Sequence, residues 1–312
     1  MTDFFDLQVN GYGGIDFNQD ALTAEQLHTA CAKLAEHGVG GILATIITER
    51  LELMCERLKR LVKLRAADPL ATKMIAGLHI EGPFLSTKAG YPGGHPVDAI
   101  VPPDGEAAKR LLDAGGGLVR LVTLAPERDT GSHVTKLLVG RGIIVSAGHC
   151  DPSVEQLQAA IDAGLSMFTH LGNGCPMHMH RHDNVVQRAL SLHKYLWLCF
   201  IADGIHIAFP ALGNYLRAVS PERCVIVTDA VAPAGLGPGH YTLGRRWILN
   251  VGPDLACRAP DGSHLLGAAI TMRQSEANLR QHLGLSDEQC RRLLVENPRR
   301  SVGLRADNVS TE

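Results

Sequence analysis

The chain has 312 residues, 45% of them apolar and 20% charged, with a formal net charge of −2 at neutral pH. This is an ordinary globular composition, which excludes global disorder. The balanced charge leaves no broad footprint for nucleic acid or an anionic membrane. No apolar run approaches the roughly 18 residues of a spanning helix, and the start Met1-Thr2-Asp3-Phe4 has no basic n-region or apolar h-region. Eight cysteines without a C-x-x-C pair suit reduced thiols, so a cytoplasmic location is expected. Two excesses stand out: 33 glycines, and 15 histidines that outnumber phenylalanine and tyrosine combined.

In chain order, strand-length apolar runs fall at 3–9, 41–47, 74–80, 118–124, 143–147, 166–169, 196–202 and 223–228. Runs such as Gly41 to Ile47 are apolar throughout, as expected for parallel strands covered on both faces. Helical patterns lie between them. Thr23-Ala24-Glu25-Gln26 reads as a capping box, followed by Leu27, Ala30, Cys31 and Leu34 on one face and by Gly38 as terminator. Leu51 to Val62 forms a second amphipathic pattern, ended by Pro69, and Ser153-Val154-Glu155-Gln156 opens a third, closed by Gly164. Residues 239–258 read as a hairpin of short strands and 270–296 as two helices. Eight strand–helix units predict a (β/α)8 barrel, a single domain over residues 1–312. Seven or nine strands remain alternatives. An open doubly wound sheet is the runner-up, although Gly11-Tyr12-Gly13-Gly14 is not its phosphate fingerprint.

A barrel presents its chemistry at the C-terminal ends of its strands. Glu81 ends the third run, and His149, His170 and Asp229 follow the fifth, sixth and eighth. One carboxylate and two imidazoles form a three-ligand set that leaves a position open for water, the usual layout of a hydrolytic zinc site. Asp229 would accept that water's proton and pass it to a leaving amine. The competing reading is that each residue only caps a strand or satisfies a core hydrogen bond.

These residues sit in segments that resemble the amidohydrolase superfamily and, within it, the N-acetylglucosamine-6-phosphate deacetylase family. The matching stretches are Asp6 to Gly11, His79-Ile80-Glu81-Gly82-Pro83-Phe84, Gly94-His95-Pro96, Ser146 to His149, Thr169 to Asn173, Ala202 to His206 and Thr228 to Gly235. They span nearly the whole chain in the family's order. The resemblance implies that Glu81, His149 and His170 bind one divalent metal, zinc first with iron or cobalt as alternatives. It further implies Asp229 as general base and acid and His95 as the group that polarises the acetyl carbonyl and stabilises the oxyanion. His206 and the backbone N–H groups of Asn173 and Gly174 would hold the sugar phosphate, and Arg181 would reach the neighbouring site of a homodimer. The implied reaction converts an acetamido sugar phosphate to amino sugar phosphate and acetate.

Gln8-Val9-Asn10 stands where many superfamily members carry His-x-His, so one tight metal is expected rather than two. The chain departs from the family's pattern in three further places. Most of its small β-sandwich is expected to be absent, the phosphate turn reads Asn173-Gly174 rather than Asn-Ala, and Leu266-Gly267-Ala268-Ala269 replaces a Gly-Ser segment that meets the sugar. His178, His180 and His182 alternate in one stretch that reads as a solvated loop rather than a second metal site. Two other functions stay open: a hydrolase of a different small amide, and a catalytically silent barrel used for binding or assembly.

Overall fold

The computed structural model describes residues 3–304. Eight parallel strands form one sheet in sequential order: β1 (Phe4–Val9), β2 (Val39–Ile47), β3 (Ile75–Glu81), β4 (Val119–Leu124), β5 (Ile144–Ala147), β6 (Met167–Phe168), β7 (Trp197–Ile201) and β8 (Cys224–Val227). Each matches one expected run to within two residues at either end. The sheet curls until β8 meets β1. That seam is closed by a parallel bridge between Val9 and Ala230 and by the Asp6 carboxylate, which accepts from the Thr228 N–H at 3.2 Å and from its hydroxyl. The result is a TIM-type barrel.

Side-chain alternation sorts the core into two layers. Phe5, Leu7, Leu43, Leu121, Met167, Ile201 and Val227 fill the barrel interior. The opposite faces of the strands pack against the helices in a larger cluster that includes Val9, Ile42, Leu78 and Phe200. Both faces are therefore covered, which is why the strands read as continuous apolar runs. Helix 24–36 begins at the Thr23 capping box and buries Leu27, Ala30, Cys31 and Leu34, the four positions its periodicity picks out. Ser153 caps helix 154–162 in the same way. Pro69 behaves differently from expectation. It stands at the first turn of a further short helix, 69–74, capped by Asp68, where a missing N–H costs nothing.

After β8 the expected hairpin is a four-stranded antiparallel sheet: β9 (Gly239–Leu243), β10 (Trp247–Val251), β11 (Ala256–Arg258) and β12 (Leu265–Ala268). The strands beyond the hairpin are short, and one contains Gly267, so they carry little alternation to read. Arg246 anchors this sheet over the barrel mouth through ion pairs to Glu49 at 2.7 Å and Asp98 at 2.8 Å. The two C-terminal helices, 272–283 and 287–301, follow; the second passes through a π turn at Arg292–Glu296. No helix of the described residues is long and apolar enough to cross a membrane.

Candidate active site

The site sits at the C-terminal mouth of the barrel. Glu81 is the last residue of β3, while His149, His170 and Asp229 each lie two residues beyond their strands. All three of the latter have left-handed backbone, with φ of 50°, 30° and 53°. Among the described residues only Ser132 and Leu255 share that feature without glycine's freedom. Such backbone costs on the order of 1–3 kcal/mol per residue and turns each side chain back over the barrel axis. Concentration of strain at these three positions is typical of a functional site rather than of strand caps.

Glu81, His149 and His170, placed on one axis by the sequence pattern, meet in a tight triangle. His149 Nε2 and His170 Nε2 are 3.1 Å apart, and they lie 3.2 and 2.9 Å from Glu81 Oε1. The His149 Nδ1–H donates to the Tyr91 carbonyl at 2.9 Å, which can only accept. Nε2 of a neutral His149 therefore presents a lone pair to a carboxylate oxygen and to another imidazole nitrogen. One proton cannot satisfy all three atoms, whereas one divalent cation can. Donors bonded to one such cation at about 2.0–2.1 Å lie about 3 Å from each other, as here. His95 lies beside this triangle. Its Nε2 is 3.9 Å from Glu81 Oε2, and its ring meets that of His149 edge to face at 4.3 Å. Glu81, His95 and His149 thus form a second, looser donor set.

The electrostatics separate the carboxylates. Burial opposes ionisation of Glu81, but the closeness of the His149, His170 and His95 rings holds it well below the usual carboxylate range. Asp229 is pushed the other way, to about 6, by burial and then by the charge of Glu81. Two amides hold it: Gln8 Nε2 at 3.0 Å and Asn10 Nδ2 at 2.7 Å both donate to Oδ1. Gln8 Nε2 also donates to Glu81 Oε1 at 3.1 Å. Both amides thus turn N–H groups, not oxygen ligands, toward the carboxylates. Burial, and then the neighbouring His149, lowers His95 to about 3, which keeps it neutral.

Beneath these groups lies a hydroxyl layer. His79 bonds Thr123 Oγ1 at 2.8 Å, which bonds Thr169 Oγ1 at 2.7 Å, which bonds Ser146 Oγ at 2.6 Å. Burial lowers His79 to about 4, so it is a neutral imidazole in that layer. Its side-chain partners are hydroxyls, and neither a ligand imidazole nor Glu81 is among them.

The triangle and Asp229 line a cleft of about 500 Å³ together with His95, Asn173, Gly174, His206, Leu266 and Gly267. A larger cavity, about 770 Å³, opens at the opposite end of the barrel between Arg120 and Arg141 and contains none of this chemistry. His206 is fixed by Asp203, whose Oδ2 is 2.6 Å from Nδ1 and whose Oδ1 accepts the N–H groups of residues 205 and 206. The Asn173 N–H is already spent on His170 O at 2.9 Å, so the expected pair of phosphate-facing backbone donors is not intact. Arg181 is exposed and absent from the cleft lining within one chain. His178 and His182 are exposed too, while His180 Nδ1 accepts the N–H groups of His182 and Asp183, as in a solvated loop. Sequence reasoning missed the cleft contributions of Arg258, at the end of β11, and of Ser263 and His264, in the loop between β11 and β12. It also missed Asp203 as the holder of His206, although an aspartate three residues before a histidine is a readable turn signal.

No protein-family model matches the chain. Curated relatives do. A bovine N-acetylglucosamine-6-phosphate deacetylase is 31% identical over 311 residues, covering 96% of this chain and 74% of the relative. One from Bacillus subtilis is 31% identical over 306 residues, covering 97% and 75%. The solved structure of the Mycobacterium smegmatis deacetylase, an aspartate-to-alanine variant in complex with N-acetyl-D-glucosamine-6-phosphate, superposes with a TM-score of 0.87 at 31% identity, over 97% of this chain and 77% of that one. The likeness extends through the barrel and every segment that carries the site, and on it this chain belongs to the N-acetylglucosamine-6-phosphate deacetylase family of amidohydrolases.

Proposed function

We propose that the chain hydrolyses the acetamido group of N-acetylglucosamine 6-phosphate, giving glucosamine 6-phosphate and acetate. The observation that carries this reading is the Glu81–His149–His170 triangle with Asp229 beside it in one cleft. Glu81, His149 and His170 would hold one divalent cation, zinc first and iron or cobalt as alternatives. Such a cation supplies Lewis acidity toward a carbonyl oxygen and lowers the pKa of water.

The chain's own residues do the rest. Asp229, oriented by Gln8 and Asn10, takes a proton from the attacking water as its oxygen bonds the acetyl carbon. His95, neutral and buried, offers an N–H to the carbonyl oxygen as negative charge develops there. Asp229 then delivers the proton to the amide nitrogen, the C–N bond breaks, and acetate leaves with the amino sugar. His206, held by Asp203, and the Gly174 N–H of the turn receive the sugar phosphate, with Leu266 and Gly267 forming the facing wall. Arg181, which stands outside its own cleft, serves the phosphate of the neighbouring subunit in a homodimer, where a guanidinium fork suits that anion. Eight unpaired cysteines support a reducing compartment, the cytoplasm.

Acetate release tests the assignment. N-acetylglucosamine 6-phosphate should be turned over and the unphosphorylated sugar hardly at all. Equal rates on both would transfer the chain to a different small amide, and no release from either would leave a binding role.

A further inference from the structure

The imidazoles of the cleft are held in different ways. A backbone carbonyl fixes the His149 ring, and the Asp203 carboxylate fixes that of His206. The His95 ring has no such tether. Among the described residues no group hydrogen-bonds its Nδ1, and its Nε2 stands 3.9 Å from Glu81 Oε2, beyond hydrogen-bond reach. The loop that carries His95 therefore sets where the ring sits. That loop, after β3, is bonded to itself on both sides of His95. The His95 N–H donates to the Pro92 carbonyl at 3.0 Å, and the turn that follows is closed by the Ala99 N–H on the Pro96 carbonyl at 2.9 Å. The Val101 N–H then returns to the Pro83 carbonyl at 3.1 Å, so residues 92–101 form one compact piece.

The small sheet grips this piece at two points, one on each side of His95. Before it, Leu266 of β12 packs on Gly94, where a Cβ would stand 2.6 Å from Leu266 Cδ2. After it, the exposed Asp98 carboxylate accepts twice from Arg246 Nη1, at 2.8 and 3.0 Å. Arg246 turns its other edge to Glu49, donating from Nε to Oε2 at 3.0 Å and from Nη2 to Oε1 at 2.7 Å. Glu49 is buried two residues past β2, so this fork is anchored on the barrel itself. The rest of the β9–β10 turn is fixed as well. The Gly244 N–H donates to Asp16 Oδ2 at 2.6 Å, and Arg245 pairs with Asp20 at 2.7 Å. We infer that Arg246 is a positioning residue for His95, tying the loop that carries it to the end of β2. The planar guanidinium meets both carboxylates in fixed directions, which a lysine ammonium does not reproduce. An ion pair that only stiffened the surface would leave the turnover of the folded enzyme unchanged.

The inference rests on His95 serving the acetyl carbonyl, and the experiment separates the two. Turnover of N-acetylglucosamine 6-phosphate is measured on the zinc-loaded full chain. Carbethoxylation of His95 by diethyl pyrocarbonate is followed by peptide mass without substrate. His95→Asn, the reference, should lower kcat by about 10²–10³-fold. Arg246→Ala and Asp98→Ala should each lower it by about 10–100-fold, the cost of a group displaced by about 1 Å, with KM within about threefold of wild type. Asp98 is exposed, so its variant serves even where loss of Arg246 from the buried Glu49 prevents folding. Added to His95→Asn, either change should cost nothing further. Asp98→Asn, which still offers an acceptor to Arg246, should recover part of the loss. In both alanine variants the buried His95 should be modified about tenfold faster through local opening, with the exposed His178 unchanged. A kcat within about twofold of wild type in both would overturn the inference, as would full additivity with His95→Asn. If His95→Asn itself leaves kcat unchanged, His95 has no part in the reaction and the positioning role falls with it. If wild type releases no acetate, the deacetylase reading falls and the modification rates decide alone: equal rates in wild type and variants would overturn the positioning.

Discussion

Gly174 lies flat against the imidazole of His149: a Cβ at position 174 would stand 2.7 Å from Nδ1 and 2.9 Å from Cε1. The same residue has φ of +59°, which a side chain tolerates poorly. The Asn173–Gly174 turn and the His149 ring are therefore packed as one unit, and glycine is required there by two independent constraints. Gly174→Ala should cost about 1–3 kcal/mol of stability and displace the ring. Thermal unfolding and zinc affinity measured together check this. A variant with wild-type values of both would show that the ring has room to move.

Asp229 is the group assigned both proton transfers. Asp229→Asn keeps the side chain's shape but cannot accept a proton, so kcat should fall by about 10²–10⁴-fold. Metal analysis of the same variant should still find one cation per chain, because Asp229 is outside the Glu81–His149–His170 triangle and the Gln8 and Asn10 amides direct N–H groups where a second cation would need acceptors. Unchanged turnover would strip Asp229 of its role, and two fully occupied cations per wild-type chain would contradict the single site.

Asp6 closes the barrel seam and is buried, which pushes its carboxyl up to about 7 against the opposing hydrogen bonds from Thr228 and Gln8. The unfolded chain releases this proton near 3.8, the ordinary value of an aspartate. Between the two values the folded state binds the proton that the unfolded state has lost. The contribution to stability is thus complete below the lower value and disappears as pH rises through the upper one. In Asp6→Asn this dependence is absent. Wild type should lose about 2–3 kcal/mol relative to the variant between about pH 5 and about pH 8, read by urea unfolding. A constant difference would mean that Asp6 does not titrate in this range.

Arg181 is exposed and absent from the cleft lining of its own chain, so its assigned role depends on a second subunit. Arg181→Ala and Asp229→Asn should each be nearly inactive alone. Mixed and allowed to exchange, they should recover about a quarter of wild-type activity, because each heterodimer holds one site with both groups intact. No recovery in a mixture shown to contain heterodimers would exclude the shared site.

Much of the barrel was legible before any coordinates. Parallel strands covered on both faces must be apolar along their length, and the helices between them carry their own caps, so β1 to β8 and the helices at 24–36 and 154–162 follow from short-range signals. The positions of Glu81, His149, His170 and Asp229 were legible for the same reason: each is a polar residue where an apolar run stops, and a barrel points all such places at one axis. What that pattern could not contain is contact between distant segments. That Asp6 rather than a full ladder seals the seam with Thr228, that the Tyr91 carbonyl holds His149, and that Gln8 and Asn10 hold Asp229 depend on how loops and strands far apart in the chain come to rest. The small sheet is the clearest case. Its first three strands fall in the stretch 239–258 read as short strands, but β12 is too short to announce itself, and it is β12 that brings Leu265 and Leu266 to the cleft while Arg246 fixes the sheet over the barrel. Local periodicity encodes which residues face inward; only the packed chain decides which inward-facing residues touch, because those contacts are made by burial and hydrogen bonding across the fold rather than along the sequence.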